Sequence, residues 1–257
     1  MGTAISADGT PVSFSTTGEG RTVVVAGGAL TTAADASPFA QELADAGFRA
    51  VVWDRRARGA SGDRPGSTPK DEVDDLAAVI EAAGGTDAVL GHSSGAVLAL
   101  YAGMRGVPTG ALFLSEPPID FDGTGFGDEL PDRLQELVDA GRGEDAVASF
   151  QTDAVGLPAE MVAAARAGGE LTALAPLAQS TVYDTRLTLR LRHVDPALLE
   201  VSTPVTVLRG EQTFPFLQAA ADRLASVMAG AELVVMPESV MHRLDPAATV
   251  RIIAERL

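Results

Sequence analysis

Short apolar runs alternate with amphipathic stretches along most of the chain, a pattern that predicts strands separated by helices. Six apolar runs are predicted strands, at residues 22–26, 50–53, 87–90, 111–114, 204–208 and 232–236. Helices are predicted at residues 36–46, 70–83, 96–104, 216–228 and 246–257. Before them, two alternating runs at residues 3–6 and 11–15 flank an Asp-Gly turn and predict a hairpin. The predicted fold class is therefore α/β, a mostly parallel sheet with helices on both faces.

Residues 119–200 break this alternation. Helical segments are predicted there near residues 129–140, 144–151, 159–168 and 170–178, and no parallel strand is predicted. We interpret the stretch as a helical insertion after the sixth strand, which leaves residues 1–118 and 201–257 as the core. Because open α/β sheets bind ligands beyond the carboxyl ends of their strands, an insertion placed there would form a lid over the binding crevice.

Composition and charge narrow the classes of function. Hydrophobic residues make up 46% of the chain, enough for a sizeable core, and 35 acidic against 19 basic residues give a formal net charge of −16. Such a charge repels phosphate backbones and anionic membranes. We therefore expect a neutral or hydrophobic small-molecule substrate, and neither a nucleic-acid nor a membrane partner. The sequence leaves open whether the protein forms a homodimer. Because the chain starts without a visible secretory signal, we expect a cytoplasmic protein.

A candidate nucleophile lies between a predicted strand and a predicted helix. Residues 91–95 read G-H-S-S-G, which matches the G-x-S-x-G pattern. In a nucleophile elbow the serine occupies a tight strand-to-helix turn, and small residues two positions before and after it let the backbones approach. The central residue, Ser93, is thus the predicted nucleophile, at a helix N-terminus that stabilises negative charge.

A serine hydroxyl needs a base to accept its proton, and the chain has three histidines. His92 adjoins the serine, so we expect its side chain to point away from the catalytic face and to pack. His193 lies in an arginine-rich run of the insertion and is expected at the surface. His242 follows the last predicted strand, at the same sheet edge as the elbow, and is the predicted base. With three separated histidines and no cysteine, we expect no metal and no organic cofactor.

The carboxylate that would orient the imidazole is ambiguous in the sequence. Glu116 and Glu211 both follow predicted strands at the carboxyl edge, and either could reach His242. Asp245 lies only three residues past His242, where a helix N-cap is expected, so we interpret it as structural.

Two backbone N–H donors are expected to stabilise the oxyanion. One belongs to Ser94, the residue after the nucleophile, and the other to Gly28 or Ala29, in the loop after the strand at 22–26. The loop at residues 54–62, with three arginines, predicts a turn held by an Asp–Arg pair. Its alternative role is an anion contact at the mouth of the site.

These segments together resemble the α/β-hydrolase superfamily over nearly the whole chain. Residues 27–30, G-G-A-L, are similar to the family's oxyanion loop, and residues 54–63 to its D-x-R-G-x-G-x-S signature. S-E-P-P at residues 115–118 follows the sixth strand, and His242 stands where the family keeps its histidine. Two features depart from the family: Gly-Gly replaces the usual His-Gly pair, and residues 209–216 lack the usual aspartate after the seventh strand.

The resemblance implies hydrolysis of an ester, lactone or thioester through an acyl-enzyme, with Ser93 as nucleophile and His242 as base. Some members carry the acid after the sixth strand, which favours Glu116 over Glu211. Serine in place of the aspartate of epoxide hydrolases and haloalkane dehalogenases argues against those activities. The same fold also hosts C–C bond hydrolases, biosynthetic cyclases or isomerases, and non-catalytic binding proteins, and these functions stay open.

Overall fold

One eight-stranded sheet runs through the protein, and the computed structural model describes residues 1–192 and 200–257. Its strands are β1 Gly2–Ile5, β2 Pro11–Thr17, β3 Arg21–Ala26, β4 Phe48–Trp53, β5 Ala88–His92, β6 Ala111–Ser115, β7 Val205–Gln212 and β8 Glu232–Val240. They lie in the order β1-β2-β4-β3-β5-β6-β7-β8. The β1–β2 and β2–β4 pairs are antiparallel and all others are parallel. The predicted fold class and hairpin are confirmed.

Helices cover both faces of this sheet. The described helices, including those of the segment between β6 and β7, are α1 Ser37–Asp45, α2 Pro69–Ala82, α3 Ser94–Met104, α4 Leu130–Asp139, α5 Gly143–Ser149, α6 Ala159–Ala167, α7 Glu170–Leu174, α8 Ala178–Arg190, α9 Pro215–Val227 and α10 Pro246–Arg256. Apolar residues of α2, α3 and α9 form one core layer, and those of α1 and α10 form the other. The central strands are buried on both faces, which explains their continuous β-branched runs. Among the described residues, no helix has the length and apolar character needed to cross a bilayer.

The last helix begins at a side-chain cap. Asp245 has extended backbone angles, and its Oδ1 accepts a hydrogen bond of 2.8 Å from the backbone N–H of Ala248. This contact satisfies one of the N–H groups that a helix leaves unpaired at its start. The structural interpretation of Asp245 is confirmed, and the cap fixes the chain just after His242.

The insertion lies between β6 and β7 and carries α4 to α8. Its apolar residues, among them Leu134, Phe150 and Val182, form a separate cluster that packs against Ala29 and Leu30 of the core. A π-helix, Phe150–Ala154, continues directly from α5. The insertion therefore sits against the loop that follows β3.

The structure corrects the prediction at the end of the insertion. The helix expected at residues 170–178 ends at Leu174, and α8 was not predicted. One reason is that much of the buried face of α8 is polar and therefore gives no apolar stripe; it includes Ser180, Thr181, Asp184, Thr185 and Thr188. His193, which we expected at the surface, lies outside the described residues.

A second correction concerns the strand before His242. The apolar run predicts that it ends at Met236, but β8 continues through Pro237 to Val240. Proline lacks an N–H, so it is tolerated in a strand only where that donor is not needed, and β8 is an edge strand. His242 thus follows the strand after a single intervening residue.

Candidate active site

Ser93 occupies a strained turn between β5 and α3. Its φ of 55° and ψ of −125° lie in a region that residues with a side chain rarely adopt. The flanking glycines make the turn feasible: a Cβ at Gly95 would lie 2.1 Å from the carbonyl oxygen of Ala26, and one at Gly91 2.5 Å from Cα of Ala96. These are the close backbone approaches that a nucleophile elbow requires.

Ser93 and His242 line the same cavity of about 300 Å³. Apolar residues from the core and from the insertion make up much of its remaining wall, among them Leu30, Phe126, Phe150, Val155, Leu157, Phe214 and Phe216. None of the described residues that line it is Lys or Arg. Within the described part of the chain, the Ser93 hydroxyl has no protein hydrogen-bond partner; catalytic hydrogen bonds often tighten only when substrate binds.

Glu116, and not Glu211, meets His242. The Glu116 Oε2 lies 2.5 Å from His242 Nδ1, and the Glu116 side chain is almost fully buried. Glu211 is exposed. Glu116 and His242 both follow strands with positive φ, 46° and 62°, so the chain turns sharply at each of them.

Two further residues hold the Glu116 carboxylate. The backbone N–H of Gly210 donates to Oε1 at 2.8 Å, and the Thr213 hydroxyl donates to Oε2 at 3.1 Å. Burial opposes ionisation, but the hydrogen bonds from His242 and Gly210 outweigh it and lower the pKa of Glu116. Gly210 and Thr213 were missed in the sequence, although a glycine inside a strand often marks a close approach.

Gly210 explains how a residue after β6 reaches a histidine after β8. The side chain of Glu116 crosses the end of β7, which lies between those two strands. A Cβ at Gly210 would lie 3.0 Å from Glu116 Oε1 and 2.5 Å from the carbonyl oxygen of Ser239. The missing side chain therefore opens the path along which Glu116 reaches His242.

The candidate oxyanion donors lie at the same cavity. Gly28, Ala29 and Ser94 all line it, and a Cβ at Gly28 would lie 3.0 Å from Cβ of Ser93. In the described part of the chain, the N–H groups of Gly28, Ala29 and Ser94 donate to no protein acceptor. Unpaired N–H groups beside a nucleophile are suited to stabilise a developing oxyanion.

The expectation that His92 points away from the catalytic face is wrong. Its ring lines the cavity, and its centroid lies 4.6 Å from that of the His242 ring. His92 Nδ1 lies 3.2 Å from the Ser115 hydroxyl. Burial, and then the nearby His242, lower the pKa of His92 to about 3. A neutral imidazole therefore packs against the ring of the candidate base.

Replacing His92 should change how stability depends on pH. The unfolded chain binds a proton at His92 near pH 6.5 and the folded protein only near pH 3, so unfolding between these values takes up a proton. The free energy of unfolding then falls as the pH is lowered, at most by about 1.4 kcal/mol per pH unit. We expect His92→Asn to lose about 2 kcal/mol less than the wild type between pH 7.5 and pH 5, measured by urea unfolding. Equal losses in the two proteins would contradict this.

All three arginines of the loop at residues 54–62 are buried and paired with carboxylates. The pairs are Arg55–Glu72 at 2.6 Å, Arg56–Asp75 at 2.7 Å and Arg58–Asp184 at 2.8 Å. Asp–Arg pairs therefore hold this loop, as predicted, and the aspartates come from α2 and α8. The alternative role, an anion contact at the mouth of the site, does not fit guanidiniums that are buried and paired. The loop's own Asp54 instead accepts from the backbone N–H groups of Ala33 and Ala60.

Comparisons with known proteins identify the family and the fold. The model of the alpha/beta hydrolase family matches residues 23–252. An alpha/beta hydrolase from Sphaerobacter thermophilus is 35% identical, with a TM-score of 0.89 over 99% of both chains. A thermophilic esterase from Thermogutta terrifontis is 21% identical, with a TM-score of 0.75 over 99% of this chain and 97% of that one.

A meta-cleavage product hydrolase from Pseudomonas fluorescens is 16% identical, with a TM-score of 0.68 over 99% of this chain and 96% of that one. Comparison with functionally curated proteins gives no match. The two likenesses below 25% identity show a shared fold.

Proposed function

This chain belongs to the alpha/beta hydrolase family, and from that premise we propose that it is a serine hydrolase. Its substrate would be a neutral or hydrophobic ester, lactone or thioester. The observation that carries the proposal is the contact between Glu116 and His242 at a cavity that Ser93 also lines. An acid, a base and a hydroxyl at one cavity form the arrangement that activates a serine for acyl transfer.

In the proposed mechanism, the Ser93 oxygen attacks the substrate carbonyl while Nε2 of His242 accepts the hydroxyl proton. Glu116 accepts a hydrogen bond from Nδ1–H, orients the ring and stabilises the imidazolium. The N–H of Ser94 and that of Gly28 or Ala29 bind the oxyanion of the tetrahedral intermediate. Collapse releases the alcohol or thiol, which takes the proton from His242, and leaves an acyl-enzyme.

Water then completes the cycle by the same groups. His242 accepts a proton from water, the hydroxide oxygen bonds to the acyl carbon, and a second tetrahedral intermediate forms. Its collapse breaks the bond to the Ser93 oxygen, which regains its proton from His242. The products are the carboxylic acid and the free enzyme.

The cavity wall supports the proposed substrate class. Apolar side chains dominate it, and the charged residues among its described lining, Asp120 and Asp184, are acidic. A volume of about 300 Å³ is at the lower end for small-molecule sites, which favours a compact substrate. We propose that the insertion at residues 119–200 acts as a lid, because side chains of its described part, among them Phe126 and Phe150, line the cavity together with Ser93.

Labelling with a fluorophosphonate tests this function. The reagent phosphonylates an activated serine, so intact-mass analysis should show a single adduct on the wild type and none on Ser93→Ala. A panel of short-chain p-nitrophenyl esters and thioesters should be hydrolysed by the wild type. An adduct that persists in Ser93→Ala, or a wild type that neither labels nor turns over any ester, would overturn the proposal.

A C–C bond hydrolase is the second candidate. The likeness to the Pseudomonas fluorescens enzyme favours it over a cyclase, an isomerase or a non-catalytic binding protein. The same three side chains would serve it, so labelling does not separate the two hydrolase functions. Turnover of a vinylogous 1,5-diketone, compared with that of an ester of equal size, does. A specificity constant at least 100-fold higher for the diketone would favour this candidate.

A further inference from the structure

Four buried charged side chains connect the insertion to the core. Arg55 and Arg58 follow β4, Glu72 lies on α2 and Asp184 lies on α8. The side chains are 1–3% exposed, so their two positive and two negative charges balance almost out of contact with water. Arg58 Nη2 donates to both carboxylate oxygens of Asp184 at 2.8 Å, and Arg55 Nη1 lies 3.0 Å from Asp184 Oδ1.

The same arginines contact both parts of the candidate oxyanion hole. Arg58 Nη1 donates to the carbonyl oxygen of Gly28 at 2.5 Å. Arg55 Nη1 donates to the Ser94 hydroxyl at 2.9 Å and to the carbonyl oxygen of Gly27 at 3.3 Å. Each guanidinium thus joins Asp184 of the insertion to a segment beside Ser93.

The contact with Gly28 determines which way the next amide faces. In a trans peptide the C=O and N–H bonds point in opposite directions within one plane. Since Arg58 holds the Gly28 carbonyl, the N–H of Ala29 is turned to the other side of the loop, where it has no acceptor in the described part of the chain. Thr31 Oγ1 donates to the same carbonyl at 2.8 Å and reinforces this orientation.

We propose that Asp184 is a positioning residue: through Arg58 it fixes the Gly28–Ala29 peptide so that the Ala29 N–H serves as the second oxyanion donor. The inference rests on the proposed function and makes it more specific, because the insertion then completes the oxyanion hole as well as covering the cavity. Asp184 also lines the cavity, which places this link at its wall.

Electrostatics explain why Arg58 depends on Asp184. Burial, and then the neighbouring Arg55 charge, lower the pKa of Arg58, while Asp184 and Glu72 oppose these effects. Without the Asp184 charge, two buried guanidiniums would share one carboxylate and repel each other. Arg58 would then leave its place, and the Gly28 carbonyl would lose the donor that holds it.

The test compares Asp184→Asn with a matched control, Asp75→Asn, whose partner arginine lies in the same loop. Asp75 is fully buried and bonded to Arg56 at 2.7 Å through both oxygens, but these groups do not contact residues 27–31. We expect Asp184→Asn to lower kcat for ester hydrolysis about 100-fold, the usual effect of losing one oxyanion donor, with KM changed less than about threefold. Asp75→Asn should lower stability and leave kcat of the folded protein within about twofold.

A second readout needs no substrate. The backbone amide NMR signals of residues 27–31 should shift and broaden in Asp184→Asn, because the loop loses its fixed conformation, and stay unchanged in Asp75→Asn. If either asparagine variant fails to fold, Arg58→Lys and Arg56→Lys replace the pair, because lysine keeps the charge but lacks the planar fork whose separate nitrogens bond the two partners.

Unchanged amide signals of residues 27–31 in Asp184→Asn would overturn the inference, even in an active enzyme. So would a kcat of Asp184→Asn within twofold of an active wild type. A wild type that neither labels nor hydrolyses esters would instead refute the proposed function, and the amide signals of residues 27–31 would still decide whether Asp184 holds the loop.

Discussion

Ser93→Ala is expected to lower kcat for ester hydrolysis by about 10⁶-fold, the largest loss that we expect from any single substitution in this protein. The reason is that the proposed reaction forms a bond to the Ser93 oxygen, and alanine offers no atom in its place. Binding groups and backbone N–H donors would remain, so a residual rate above the uncatalysed reaction is expected. Steady-state kinetics over a wide enzyme range measures the loss, and a drop smaller than 100-fold would contradict Ser93 as nucleophile.

Substitutions at Ser93 also separate the strain energy of the turn from its role in catalysis. Alanine keeps the strained angles of φ 55° and ψ −125°, whereas glycine adopts positive φ without a steric penalty. We expect Ser93→Gly to be as inactive as Ser93→Ala but more stable by about 1 kcal/mol in urea unfolding. Equal stability of the two variants would show that the elbow stores no strain.

Glu116→Gln should give the second largest loss, about 10⁴-fold in kcat. Glutamine fills nearly the same volume but carries no charge, so it neither stabilises the imidazolium nor selects the ring tautomer with a proton on Nδ1. Glu211→Gln is the matched control: it makes the same chemical change at an exposed glutamate near the end of β7, and we expect its kcat to stay within about twofold. The reverse outcome, a large loss only in Glu211→Gln, would reassign the acid.

The pH dependence of the free energy of unfolding tests the role of the Glu116 charge independently of activity. Hydrogen bonds lower the pKa of Glu116 from its usual 4.5, so the folded state binds its proton less readily than the unfolded state. This contribution to stability is present above pH 4.5 and is lost as the pH falls below it. The stability gap between wild type and Glu116→Gln should therefore narrow from pH 6 to pH 3, whereas a constant gap would show that the charge contributes nothing.

Local patterns in the sequence were sufficient to predict the sheet and the elbow. The strands have continuous apolar runs because both of their faces are buried, and Ser93 is marked by glycines that the turn needs for steric reasons. His242 could be inferred because parallel strands bring their carboxyl ends to one edge. Each of these signals depends on residues close together in the chain.

The acid and α8 depended on contacts between distant residues. Choosing Glu116 over Glu211 requires the order of β6, β7 and β8 and the gap at Gly210, neither of which is a local property. Helix α8 buries Asp184 against Arg58, a partner 126 residues away. Because the buried face of α8 is partly polar, the sequence shows no apolar stripe from which this helix could be predicted. The prediction for His92 was wrong because it used only the alternation of side chains along β5. That alternation does not show that the loop of His242 folds back over the His92 ring.

The buried charges also limit how this protein can be recombined with its relatives. A chimera that receives a foreign insertion keeps Arg55 and Arg58 from the host, together with Glu72. Unless the graft brings a carboxylate to the place of Asp184, the hybrid interior carries one uncompensated positive charge. The insertion therefore cannot be exchanged freely between relatives. A stable chimera has to receive Asp184 and the arginine that pairs with it together.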